Sequence, residues 1–367
     1  MNLEPTAEQS ALRETTRRFL ADQATVADHV RPLLNDPTGM TDPVWRGLAA
    51  IGATAVLVPA EHGGLGLSMV EAAMVGEEFG AALHPGPWLS SAVAATRALH
   101  RFGATDPYAG LAAGTTIATV ALPWAGASDL SHERDGAVLH GVLDEVPDAA
   151  AADVLLVAAE HHGPAVLIAV PTASPAVRIE ARSGIDQSRK MFRVTLDDAP
   201  GVVLATADYD VVAALTDDVL VAGAADALGA ASRLLAMTLD HAKTRRQFGR
   251  PIGGFQAVAH LCVDMYETVE LARSAVMYAS WAADAADPAE RHLAALRAKA
   301  LSGRLAGVGD QAIQVFGGIG YTWEHDAHLY LKRLLSYSRL LGSPDRYLER
   351  VGRELVRSHE TSNRTGM

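Results

Sequence analysis

One cysteine, Cys262, is all that this chain of 367 residues contains. No internal disulfide and no cysteine-built metal site can form, and a reducing cytoplasm is the expected compartment. An excess of basic charge is also missing. The net charge is -12, with both signs interspersed along the chain, which argues against nucleic acid or an anionic membrane as partner. The opening MNLEPTAEQSALRETTRRFL lacks the charged start and apolar run of a signal peptide. No apolar stretch reaches the length needed to span a bilayer. A Gly-x-Ser-x-Gly elbow and a glycine-rich dinucleotide fingerprint after a strand are both absent, so hydrolase and nicotinamide-enzyme readings fall away. Neither His161 with His162 nor His325 with His328 comes with the acidic or cysteine partners that a metal site would want, and no metal is expected.

What is present is apolar material, 49% of the residues, enough for more than one core. From Glu8 to about His100 the pattern is helical, punctuated by Pro and Gly at 36–39, 58–66 and 84–87. Between about Thr115 and Ala205 it changes to short β-branched runs such as TTIATVAL, DVLLVAA and FRVTL, separated by turn residues, as in a small antiparallel sheet. From about Asp217 the chain is helical again. Val221, Ala225, Leu228, Ser232, Leu235, Leu239 and Ala242 recur at spacings of four and three on one long helix. Val258, Leu261, Met265, Val269, Ala272 and Val276 do so on the next. Stretches at 289–315 and 325–354 complete a four-helix bundle. The expected class is α+β, mainly α, with a helical domain at 1–112, a β-domain at 113–206 and a helical bundle at 207–367.

This order, with LVPAEHGGLGLS in the first part, ALPWAGASD at the entry to the sheet, and RRQFGRPIGGFQAV and QVFGGIGYTWEH in the last, resembles the acyl-CoA dehydrogenase family over essentially the whole chain. The resemblance implies FAD shared across a dimer interface and an acyl-CoA thioester as substrate. It also implies an electron-transfer acceptor and association as a dimer or tetramer, or with a homologous partner subunit. Residue by residue it assigns Arg245 to the FAD diphosphate, where a planar guanidinium suits paired phosphate oxygens, and Phe248 to the adenine. Gln256, Gln314, Gly317 and Gly318 match the remaining ribose and pyrophosphate contacts, the glycines letting main-chain amides approach.

The family's reaction removes a proton alpha to the thioester while hydride leaves the beta carbon, so it needs a carboxylate base held in a desolvated pocket. At the two places where members carry that glutamate, this chain has Leu341, before Gly342 and Ser343, and Val219. The Leu341 main-chain amide still suits polarisation of the thioester carbonyl. Asp218 and Asp226 are the acidic candidates nearby. Asp218 is also suited to the first turn of its helix, and Asp226 lies two turns, roughly 10 Å, beyond Val219. The Trp-Ile-Thr run that covers the flavin in active members is replaced within LHGVLDEVPDA, leaving Trp124 as an aromatic in that region. A retained FAD site beside lost bases resembles the shorter partner subunits of mixed acyl-CoA dehydrogenases that act on steroid side chains. Three functions follow: a dehydrogenase with an unusual base, a noncatalytic subunit completing a partner's FAD site, or a flavin monooxygenase on the same scaffold.

Overall fold

A computed structural model of the chain describes residues 4–122, 128–133, 136–160, 164–208 and 210–365, with backbone only at 128–133, 136, 160 and 358–365. Trp124, His161 and His162 lie outside the described residues.

Six helices come first: α1 (Ala7–Gln23), α2 (Arg31–Leu33), α3 (Asp42–Ala50), α4 (Met69–Ala81), α5 (Thr96–Phe102) and α6 (Tyr108–Ala113). Ser68 caps α4 in a reciprocal box with Glu71, its side chain meeting the N3 backbone while the glutamate accepts from the Ser68 amide. The glycine-rich segment before it folds back on its own chain, with the Gly66 amide donating to the Val58 carbonyl at 2.8 Å. A Cβ on Gly64 would land on that same carbonyl, so glycine is required there.

The sheet follows, in β1 (Ala118–Ala121), β2 (Ser128–Glu133), β3 (Gly136–Pro147), β4 (Val154–Glu160), β5 (Ala165–Pro171), β6 (Val177–Arg182) and β7 (Met191–Ala207). Strand order is β1-β4-β5-β7-β3-β2, with β6 also on β7. All pairs are antiparallel except β1 with β4. That parallel pair departs from the purely antiparallel expectation. Its connection runs through β2 and β3, a crossover long enough for a parallel return.

Helices α7 (Asp210–Thr244), α8 (Gln256–Ala285), α9 (Pro288–Ala300), α10 (Ser302–Phe316), α11 (Ala327–Arg339) and α12 (Pro344–Thr365) form the last part, with a hairpin, β8 (Arg246–Gln247) and β9 (Arg250–Pro251), between α7 and α8. Two expected long stretches are each divided. Leu301 (ψ -9°) leaves helical geometry between α9 and α10, and Leu341 (φ 56°) and Gly342 (φ 124°) turn the chain between α11 and α12. Helix α7 starts seven residues earlier than its pattern indicated, because Val212 and Leu215 bury against the β-domain. Every residue from Asp217 to Ala231 is buried, so α7 is the central rod of the molecule and not a one-sided helix. Against it α4 packs backbone to backbone. A Cβ on Gly80 would strike the Asp226 carbonyl, and one on Gly229 the Glu77 carbonyl.

Candidate functional site

The candidate residues fall in two regions, one at the C-terminus of α7 and one along its N-terminal half. At its C-terminus the chain must turn sharply, and the β8–β9 hairpin does so through Phe248 and Gly249, at φ 50° and 80°. Positive φ at both central residues is the turn geometry that matches strand twist in a two-residue hairpin. The turn throws Phe248 outward, where its side chain is 91% exposed. It meets only the edge of Phe255, at 5.9 Å between ring centres. The Arg245 amide donates to the His241 carbonyl at 2.8 Å, closing the helix, and the Ile252 amide donates back to the Arg245 carbonyl at 2.8 Å.

The end of α10 meets this corner. Ala242, Cys262 and Val315 form one small buried cluster, and the rings of His241 and Phe316 lie 4.8 Å apart. Arg245 follows the first member of that cluster by three positions, and Gln314 precedes its last by one. Arg245, Phe248, Gln256, Gln314, Gly317 and Gly318 are all exposed. A Cβ on Gly317 or Gly318 would meet nothing within 4 Å, so the surface above these two glycines is open, while the Gly317 amide closes α10 on the Ile313 carbonyl. The residues assigned to the dinucleotide from sequence thus share one exposed corner of the bundle.

At the other end of α7, between the β-domain and α11, two cavities adjoin. The outer one, about 640 Å³, is lined by Arg182, Arg339, Arg346 and Arg350 together with Asp144, Asp217 and His292. Among the described residues Arg182, Arg339 and Arg346 have no ion-pair partner. Arg350 donates to His292 Nε2 at 3.0 Å, so Nδ1 carries the proton of a neutral ring and donates it to Asp217 at 2.9 Å. The inner cavity is about 130 Å³, with apolar walls that include Val120, Leu122, Val219 and Leu340. Glu145 and Leu341 line both.

Both positions where a glutamate base was sought, Val219 and Leu341, therefore face a cavity, and both are apolar. Asp218 does not line either one. It is fully buried and held by Arg97 and Arg101, each through Nε at 2.8 Å. Burial works against the Arg97 charge, but Asp218 and Asp284 raise its pKa nonetheless. The helix begins too early for Asp218 to sit in its first turn, and the carboxylate instead ties α7 to α5. Asp226 does line the inner cavity, bound by Arg189 and with Arg333 Nη1 at 3.7 Å. Sequence reasoning passed over Arg189, Arg333 and Asp148, which share that end of the cavity. They come from three separate segments, and no local spacing signals them. Burial raises the Asp148 pKa, the Ser90 hydroxyl at 2.6 Å opposing it.

His140, Asp197 and Asp198 place their ligand atoms close together on the β-domain surface, the one such group found among the described residues; all three are exposed. No helix among those residues is long and apolar enough to cross a membrane.

Residues 6–106 match the family description "Acyl-CoA dehydrogenase, N-terminal domain", and 221–356 match "Acyl-CoA dehydrogenase, C-terminal domain". The chain is 33% identical over 349 residues to the acyl-CoA dehydrogenase IpdE2 of Mycolicibacterium smegmatis, covering 95% of this chain and 99% of that one. To the acyl-CoA dehydrogenase FadE34 of Mycobacterium tuberculosis it is 36% identical over 356 residues, 94% of this chain but 48% of the longer relative. Among solved structures, the ChsE4-ChsE5 complex from Mycobacterium tuberculosis superposes with a TM-score of 0.89 at 27% identity, covering 97% of this chain and 99% of its counterpart. The Tcur3481-Tcur3483 steroid ACAD does so at 0.88 and 28%, over 96% and 99%. With both domain descriptions matched and relatives above 30% identity along nearly the full length, this chain is a member of the acyl-CoA dehydrogenase family.

Proposed function

We propose that the chain is the FAD-gripping, base-lacking subunit of a mixed acyl-CoA dehydrogenase that introduces an alpha,beta double bond into an acyl-CoA thioester. The observation that carries this reading is the inner cavity itself. Val219 and Leu341 line it where a base would stand; of its lining carboxylates Asp226 has an arginine partner, Asp148 accepts from the Ser90 hydroxyl, and Glu145 is exposed at its rim.

The exposed corner fits a dinucleotide. A guanidinium without an ion-pair partner among the described residues and two glutamine side chains are donors suited to a diphosphate, with open space above Gly317 and Gly318, and an exposed phenylalanine is suited to an adenine face. Bound FAD supplies the hydride acceptor for the reaction. At 1.5 Å per residue, α7 rises roughly 27 Å from Asp226 to its last turn. A dinucleotide gripped at this corner is therefore far from this chain's own cavity, and its reacting ring belongs with a neighbouring subunit. That neighbour supplies the carboxylate. The relatives in mixed complexes, ChsE4-ChsE5 and Tcur3481-Tcur3483, support the same reading.

The chain keeps the parts that hold a thioester. The outer cavity offers Arg182, Arg339 and Arg346, without ion-pair partners among the described residues, to the phosphates of coenzyme A. Leu341 has a left-handed backbone, and its amide makes no hydrogen bond among the described residues, leaving it for a thioester oxygen. One observation favours a second reading, an enzyme that works alone: Asp226 is a carboxylate on the wall of the inner cavity. Anaerobic titration with acyl-CoA thioesters separates the two. The proposal expects the flavin to bleach only when this chain is purified with a base-bearing homologous chain, and expects Asp226→Asn to leave that bleaching intact. Bleaching by this chain alone, abolished by Asp226→Asn, establishes the second reading instead.

A further inference from the structure

Between α11 and α12 the chain forms part of the wall of both cavities: Leu340 lines the inner one, Gly342 the outer, and Leu341 both. Leu341 stands at φ 56° and Gly342 at φ 124°. Glycine takes positive φ freely, but in a left-handed leucine the Cβ crowds the carbonyl oxygen that follows. A residue keeps such a conformation only where its surroundings impose it.

The side chain that imposes it is Tyr347, from the first turn of α12. Its hydroxyl donates to the Leu341 carbonyl at 2.9 Å. The ring is 2% exposed and packs with Leu220, Leu296 and Ala300, so it is a fixed anchor. A Cβ on Gly342 would come within 3.3 Å of its Cε2, so the ring also lies directly against the turn. Burial raises the Tyr347 pKa, which keeps the phenol protonated and a donor. On the main chain the Gly342 amide donates to the Arg339 carbonyl at 3.1 Å, so the peptide after Leu341 is held at both its oxygen and its nitrogen. The Leu341 amide itself makes no hydrogen bond among the described residues. Its direction is therefore set through the rest of the residue, and a hydrogen bond is comparable in worth with the cost of a left-handed leucine.

We infer that Tyr347 is a positioning residue for the thioester: by holding the Leu341 carbonyl it keeps the Leu341 amide turned toward the thioester oxygen that this amide polarises. The inference rests on the proposed function in taking that amide as the thioester's donor; the dependence on the Tyr347 hydroxyl is what it adds, and it holds whichever chain carries the base.

Isotope-edited infrared spectroscopy of the full chain tests it, with anaerobic butanoyl-CoA labelled at the thioester carbonyl carbon as the probe. Polarisation by a donor moves the carbonyl band of the bound thioester to lower wavenumber than that of free butanoyl-CoA. The wild type is expected to show this shift and Tyr347→Phe to lose it, while affinity measured by calorimetry stays within ~10-fold, the scale of one hydrogen bond. Phenylalanine keeps the ring in its cluster, and a hydroxyl that served stability alone would leave the band of the bound thioester where it is. Should Tyr347→Phe fail to fold, Tyr347→Met, which also removes the hydroxyl and keeps an apolar side chain, reads the same band. A shift in folded Tyr347→Phe or Tyr347→Met equal to that of the wild type overturns the inference and leaves the Leu341 amide as the donor. No shift in the wild type, or no binding of butanoyl-CoA, overturns the donor reading itself and the inference with it.

Discussion

Asp218 shows what a single buried carboxylate does in this protein. With Arg97 and Arg101 on it, and Asp284 on Arg97 at 2.8 Å, it closes a charge network among α5, α7 and α8. Removing one partner leaves the others buried and uncompensated, so Asp218→Asn is expected to cost about 3 kcal/mol or more in denaturant unfolding. Lys299 is the opposite case, a buried amine with no carboxylate partner among the described residues. Its Nζ reaches the Tyr337 carbonyl and lies 4.3 Å from the Tyr337 ring centre, and burial lowers its pKa to about 7. In the unfolded chain the same group titrates near ~10.4. Between those values the unfolded state binds more protons than the folded one, so this residue makes stability rise with pH from about 7 to about 10. Lys299→Met should flatten that rise and stabilise the protein at pH 7; an unchanged slope by denaturation at several pH values would count against the assignment. Neither network could be read from the sequence. Asp218 stood out there only as an acidic residue beside Val219, and nothing in its surroundings announced two arginines more than a hundred residues earlier.

At the scale of elements, the crossing of α4 on α7 sets the distance between the N-terminal helices and the cavity wall that bears Asp226. Gly80 and Gly229 permit that crossing. Gly229→Ala is expected to lower stability by ~3 kcal/mol or more, since backbone and not a flexible side chain blocks the new methyl. Gly307→Ala, in α10 with nothing within 4 Å, should instead raise it by ~0.5–1 kcal/mol through helix propensity. Thermal or urea unfolding of the two variants side by side decides the point. Helices and strands were largely legible because their periods are long and regular, as along Met265, Val269, Ala272 and Val276. Their interruptions were less so. Leu341 takes a left-handed conformation that leucine rarely adopts, and nothing in RLLGSPD beyond Gly342 announces it. The early start of α7 was hidden for a related reason: Val211 to Leu215 reads equally as a strand end or a helix start until the β-domain is there to bury it.

For the whole molecule, the two ends of α7 divide the labour. On the proposed function one end is the corner that grips a dinucleotide, and the other a cavity in which both family base positions, Val219 and Leu341, are apolar. The residues proposed for the corner lie in two compact motifs, RRQFGRPIGGFQAV and QVFGGIGYTWEH, which is why sequence alone could nominate them. The cavity was not legible there, because Asp148, Arg189, Asp226 and Arg333 meet only when sheet and bundle pack together. Since Arg245 is exposed and without an ion-pair partner among the described residues, Arg245→Leu should change the stability of the chain by less than ~0.5 kcal/mol. Any loss of flavin in that variant therefore reports on binding and not on folding. The most direct measurement is the flavin bound per chain, by absorbance, in an assembly of this chain with a base-bearing homologous chain, compared with the same assembly carrying Arg245→Leu. Flavin that is retained by the wild-type assembly and lost from the variant, with the assembly still intact, is the predicted result. Full flavin occupancy in the Arg245→Leu assembly would contradict the shared grip on which the account stands.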